Sequence, residues 1–214
     1  MVKALTGTEV ATIMAECRAN NELIEYSEGP ESFSQMPPLL GQGYGRTLQL
    51  REGLSIDVCR FNKRQTHTYN CRHQGPMPLS LVYYLSGGKS YLYCLPNTTE
   101  VEEYPAEQTI FTVRIRILPT LIPAFSDRIH ELPSHLRQAI NHPKEALLYY
   151  SAKITPAQQH ILQQIIQWPY QGLTRQLYLE GKVLELLSLY FNQMLAKPQG
   201  RGNSLIARDV DRIY

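Results

Sequence analysis

The apolar positions of this chain change period near residue 125. Before it, short runs rich in Val, Ile and Tyr alternate with polar residues and are divided by turn signals. After it, apolar residues recur at helical spacing. Residues 110–118 are the clearest strand. Phe111, Val113, Ile115 and Ile117 fall on one side, Thr112, Arg114 and Arg116 on the other, and Pro119 and Pro123 then stop the sheet. In residues 54–61, Leu54, Ile56, Val58 and Arg60 alternate with Ser55, Asp57, Cys59 and Phe61. Residues 45–50 lead into that run through Arg51-Glu52-Gly53. Residues 79–85 and 90–95 flank Ser86-Gly87-Gly88-Lys89, where adjacent glycines permit positive φ and mark a hairpin. At least five short strands separated by turns predict a sandwich or barrel.

The remaining segments read as helix, loop or linker. Residues 8–20 predict a short helix capped by Thr8, with Val10, Ile13, Met14 and Cys17 on one face. Residues 27–43, with three prolines and three glycines, read as a loop or extended arm. Residues 132–141 predict a short helix started by Ser134 and stopped by Pro143. Thr155-Pro156 opens a helix over 157–167, striped by Ile161, Leu162, Ile165 and Trp168. The longest helix spans 173–196, with room for one stripe on the barrel and another on a second copy of the chain. Leu177, Leu184, Leu187, Phe191 and Met194 are the predicted homodimer interface. Residues 198–203 have linker composition, and Ile206, Val210 and Ile213 begin a further helical face. A chain that stops inside such a helix is expected of a fragment of a longer protein. The resulting division is an N-terminal helix and arm (1–40), a barrel (41–124), a helical region (125–197) and a linker leading into another domain (198–214).

Composition narrows the function classes. Apolar residues make up 43% of the 214 and charged residues 19%, ordinary for a globular protein and unlike a disordered one. A formal net charge of +2 is no electrostatic footprint for nucleic acid, so any DNA contact is expected elsewhere. No apolar stretch is long enough to cross a membrane, and no signal peptide precedes the first helix, so a cytoplasmic protein is expected. Cys17, Cys59, Cys71 and Cys94 form no CxxC pair and read as reduced thiols.

The densest polar cluster is Arg64 to His73. His67, Tyr69, Cys71 and His73 share one face if the segment is extended. A metal-dependent cupin enzyme needs a His-x-His pair with a carboxylate close behind, and His67 and His73 stand six apart without one. The sequence therefore predicts no metal site and no catalytic residue, and the cluster reads as a polar strand or as the rim of a ligand pocket. Tyr83, Tyr84, Tyr91 and Tyr93 lie on the predicted hairpin, where those facing inward can stack on a planar ligand. Arg46, Arg114 and Arg116 are candidates to attract an anion. No nucleophile elbow or phosphate-binding glycine loop is present.

Residues 169–187, PYQGLTRQLYLEGKVLELL, resemble a helix of AraC-type transcription regulators, in the subgroup of the PchR-like, pyochelin-responsive activators. Residues 43–54, GYGRTLQLREGL, are similar to that subgroup's first barrel strands, and 207–214, ARDVDRIY, to the start of its DNA-binding domain. The resemblance implies an α+β fold: a cupin-like jelly-roll barrel or sandwich followed by a C-terminal helical region. It also implies a small-molecule effector in the barrel, with an iron–siderophore chelate as the suggested one and no intrinsic cofactor. DNA would be reached only through a helix-turn-helix domain that follows. Arg46, His67, Tyr69, His73, Tyr83 and Tyr93 are the predicted ligand-binding residues, in a sensing domain that is not an enzyme. The rival classes are a stand-alone metal-dependent cupin enzyme and a ligand-free interaction module.

Overall fold

A computed structural model of the chain describes residues 4–75, 77–125 and 127–196. The predicted linker at 198–203 and the helical face beyond it lie outside the described residues. The chain is mixed α+β, with eleven strands and four α-helices among the described residues.

The first strand, β1 (Leu5–Thr6), runs straight into α1 (Gly7–Ala19). Thr6, rather than Thr8, caps this helix, because Glu9 three residues on completes a capping box with it. The predicted loop at 27–43 instead contains most of a hairpin, β2 (Glu25–Glu28) and β3 (Glu31–Gln35), turned at Gly29 with φ of +53°. The long strands β4 (Gly41–Arg51) and β5 (Leu54–Lys63) follow, then β6 (His67–Arg72), β7 (Leu79–Tyr84), β8 (Lys89–Cys94), β9 (Thr99–Tyr104) and β10 (Thr109–Ile117). Short 3-10 turns at Pro119–Ala124 and Ile129–Glu131 lead to α2 (Ser134–Asn141). One more strand, β11 (Leu148–Lys153), precedes α3 (Pro156–Ile166) and α4 (Gly172–Ala196). The region expected to be helical throughout thus returns one strand to the sheet, where β11 pairs antiparallel with β8.

Two sheets form. The larger has the order β11-β8-β7-β10-β5-β4-β3-β2, and all its pairs are antiparallel. The smaller has the order β1-β6-β9, with β1 parallel to β6. They remain separate sheets, so the barrel expected from the strand pattern is not closed among the described residues. β4 crosses β5 very closely. Gly43 has φ of +138°, and a Cβ there would stand 2.0 Å from the carbonyl oxygen of Arg60, so only glycine fits.

The alternation along β10 determines the layering. Val113, Ile115 and Ile117 join Leu54, Ile56 and Val58 of β5 and Leu79, Leu81 and Tyr83 of β7 on one continuous apolar face. That face is covered by Leu136 and Ala139 of α2, Ile161, Leu162 and Ile165 of α3, and Leu179, Val183, Leu186 and Tyr190 of α4. Ile115 is fully buried at the centre of this layer, and its truncation to Ala costs about 2–5 kcal/mol by the usual cavity penalty. The opposite, polar face of the large sheet is left for the small sheet.

Polar contacts hold α4 to the strands as well. Gln176 donates to the carbonyl oxygen of Leu50, Arg51 pairs with Glu180, and Arg175 pairs with Glu31 at 2.8 Å. Farther along, the Tyr190 hydroxyl donates to Tyr150 O at 3.2 Å, and Gln193 to Lys153 O at 3.0 Å. α4 is therefore tied to both ends of the large sheet.

Candidate functional site

Between the two sheets lies a cavity of about 420 Å³. Its floor is the polar face of the large sheet, and registration places residues in bands across it. Thr47 lies opposite Asp57, Asp57 opposite Arg114, and Arg114 opposite Val82. In the next band Cys59 lies opposite Thr112, and Thr112 opposite Tyr84. The roof comes from the small sheet, where Tyr69 lies opposite Glu102 and Cys71 opposite Glu100. Tyr69, Cys71, Glu102 and Tyr104 line the cavity from that side. Lys63, at the end of β5, and Phe61 close the gap between the sheets.

The charges are arranged unevenly. Asp57 Oδ1 accepts from Thr47 Oγ1 and from an Arg116 NH group, both at 2.7 Å. Glu102 accepts from the Tyr104 hydroxyl at 2.6 Å. Lys63 is buried, with its ammonium 3.9 Å from the centre of the Tyr104 ring and 4.9 Å from that of Tyr69. Loss of hydration lowers its pKa to about 8, against the opposing pull of Glu102. Arg114 belongs to none of the ion pairs among the described residues. Burial opposes its charge, while Tyr93, Tyr104, Asp57 and Tyr84 favour it. Burial raises Cys59 and Cys71 to about 11, so both are neutral thiols near pH 7 rather than thiolate nucleophiles or ligands.

The residues singled out from sequence are divided by this geometry. Tyr69 lines the cavity. His67 lies beneath it, fully buried, with Nδ1 3.2 Å from the Tyr69 hydroxyl and Nε2 unpartnered. Burial and the nearby Lys63 ammonium lower its pKa to about 4. His73 is outside the cavity lining and pairs with Glu100 at 2.7 Å. Tyr93 stands on the cavity side of β8, opposite Ser80 and within electrostatic reach of Arg114. Two of these residues stand on the opposite face of the large sheet. Tyr83 faces the helices, fully buried, with its ring 6.3 Å from that of Tyr190, and its neighbour Tyr84 lines the cavity instead. Arg46 also faces away. It lies opposite Val58, pairs with Glu31 at 3.1 Å and stacks over Trp168 at 5.0 Å. Both placements follow from the two-residue period of a strand, in which one position decides the side.

The predicted dimer set is divided as well. Leu177 is 62% exposed, and Leu184 and Phe191 are partly covered. Leu187 and Met194 are buried in this chain's own core and leave the exposed stripe. Leu173 and Leu195 are exposed instead.

Sequence reasoning missed Lys63, Asp57, Glu102 and Tyr104. Asp57 had a signal, because it shares the polar side of its strand with Cys59. Lys63 continues the same side two residues beyond the run read as a strand, whereas Glu102 and Tyr104 had no signal, since their segment lacks an apolar alternation. Among the described residues, no three of His, Cys, Asp and Glu are grouped so as to hold a metal ion. No helix among them is long and apolar enough to cross a membrane.

The family model of the regulatory protein PchR N-terminal domain matches residues 41–205, from the first residue of β4 to beyond α4. No curated protein and no solved structure matches the chain.

Proposed function

The chain belongs to the family of PchR regulatory N-terminal domains, and from that membership we propose that it senses a small effector in the cavity between its sheets for an AraC-type transcription regulator. One observation carries the proposal: the strands that floor the cavity with their polar face bear the helical layer on their apolar face. In β4, Thr47 lines the cavity, while Arg46 beside it shares Glu31 with Arg175 of α4. An effector that favours one spacing of the strands would act on the seating of α4. It can do so only through different affinities for the two arrangements.

The paired sheets around a polar cavity support a cupin-like reading of the fold, and the effector suggested by the resemblance is an iron–siderophore chelate. The exposed stripe of α4 supports a homodimer. DNA would be contacted by a helix-turn-helix domain outside the region described, and this domain itself would carry no catalysis.

The test is a thermal-shift screen of siderophores, with and without iron, alongside iron, zinc and manganese salts. A ligand at a hundred times its Kd stabilises the fold by about 2.7 kcal/mol, readily seen as a rise in Tm. A saturable shift with a chelate supports the sensor. A tightly held metal ion with turnover that His67→Ala/His73→Ala abolishes would favour the enzyme class instead. No shift with any compound would favour the ligand-free module.

A further inference from the structure

We infer that the cavity recognises its ligand through a carboxylate seated on Arg114, on a ligand with a flat aromatic body and a single negative charge. This rests on the sensor reading and specifies the chemistry of the same site.

The cavity walls carry the cations Lys63, Arg114 and Arg116 against the carboxylates Asp57 and Glu102. Asp57 is engaged by Arg116 at 2.7 Å. Glu102 lies within electrostatic reach of Lys63, whose ammonium also rests on two aromatic rings. The walls therefore carry one positive charge in excess, and Arg114, which shares the field of Asp57 with Arg116, makes no ion pair of its own among the described residues. A guanidinium withdrawn from water with only a shared counter-charge is costly to the fold. The planar fork of an arginine fits a carboxylate with two parallel hydrogen bonds. A dianion such as phosphate would reverse the sign of the cavity, whereas a monoanion neutralises it.

The walls define the rest of the ligand. Tyr69, Tyr84, Tyr104 and Phe61 place aromatic surfaces around the same space, and Tyr93 lies within electrostatic reach of Arg114. Such surfaces suit a flat unsaturated ring system.

The experiment measures binding of three probes to the unaltered chain by titration calorimetry: 2-naphthoate, its neutral isostere 2-naphthamide, and inorganic phosphate. The carboxylate is expected to bind at least about tenfold more tightly than the amide, and phosphate not at all. In Arg114→Gln the advantage of the carboxylate over the amide disappears. Arg114→Lys, which keeps the charge but loses the fork, recovers only part of it. Equal binding of carboxylate and amide to the unaltered chain overturns this inference and leaves the sensor reading standing. So does a chelate-induced thermal shift in a chain that binds none of the three probes. Phosphate binding more tightly than naphthoate overturns the choice of a monoanion. The comparison on the unaltered chain does not depend on the variants folding.

Discussion

The Lys63 ammonium stands 3.9 Å from the centre of the Tyr104 ring, and this contact joins the two sheets. Lys63 ends β5 of the large sheet, while Tyr104 ends β9 of the small one, opposite His67. The same ammonium reaches the Tyr69 ring of β6. A cation over two rings at the mouth of a cavity couples the spacing of the sheets to the charge of one side chain.

That charge gives a pH dependence of known sign. Burial lowers Lys63 to about 8, below the unfolded value near 10.5. Between these values the unfolded chain binds more protons than the folded one, so stability rises with pH across this window. Below pH 8 the ammonium is charged in both states, and its desolvation counts fully against the fold. Urea unfolding at pH 7.5 and pH 10 should therefore show a gain that Lys63→Met lacks. An identical gain in the variant would refute the assignment.

His67 acts in the acid range. Its pKa is lowered to about 4 by burial and by Lys63, against about 6.5 when unfolded. The unfolded chain takes up the proton first, so the neutral ring contributes stability above pH 6.5 that is lost as pH falls towards 4. His67→Phe should flatten that part of the stability curve by about 2 kcal/mol. The check is the difference in unfolding free energy between variant and parent at pH 7 and pH 4.5, which removes the carboxylates common to both.

Tyr83 and Tyr84 are neighbours in the chain with opposite expected phenotypes. The Tyr83 hydroxyl is buried without a hydrogen-bond partner, so Tyr83→Phe should leave binding intact and stabilise the protein by about 1 kcal/mol. Tyr84→Ala removes a cavity wall and should weaken effector binding with less effect on Tm. Calorimetric titration and thermal melts on both variants separate the two faces of β7. A loss of binding in Tyr83→Phe would reverse the assignment of faces.

These two tyrosines also mark how far the fold is legible in the sequence. The alternation of Val113, Ile115 and Ile117 against Arg114 and Arg116 was legible, as were the Gly87-Gly88 hairpin and the Thr155-Pro156 helix start. Which side faced the cavity was not. In a barrel read on its own, apolar residues point inward. Here α2, α3 and α4 cover the apolar side, and the polar side encloses the cavity. Tyr83 and Tyr93 consequently fall on opposite faces, because hairpin registration places Tyr93 across from Ser80. The strands β2, β6 and β9 gave little signal, being rich in Glu, Ser, Thr and Asn, so that pairing rather than propensity makes them strands.

Glu31 is the point at which the N-terminal hairpin, the large sheet and α4 converge. It is buried and bracketed by Arg46 at 3.1 Å and Arg175 at 2.8 Å. Glu31→Gln leaves two guanidinium groups facing each other without a counter-charge and should destabilise the chain by about 2–4 kcal/mol. If this cluster seats α4, effector affinity should change as well, although Glu31 lies outside the cavity lining. Chemical unfolding reads the first effect and titration the second. An unchanged midpoint would show that the cluster is a surface pair of little weight.

The exposed stripe of α4 can be separated from its buried one by two substitutions of the same kind. Leu177 is 62% exposed and Leu187 5%. Leu187→Arg places a charge in the chain's own core and should unfold it whatever the oligomeric state. Leu177→Arg places the same charge in solvent, so a monomeric chain should tolerate it within about 0.5 kcal/mol. If Leu173, Leu177 and Leu195 meet a second copy, Leu177→Arg should instead yield a folded monomer where the parent is a dimer. Light scattering at micromolar concentration distinguishes these outcomes, with circular dichroism confirming that the variant is folded. A parent that is already monomeric there would remove the dimer seam while leaving the cavity and its ligand chemistry untouched.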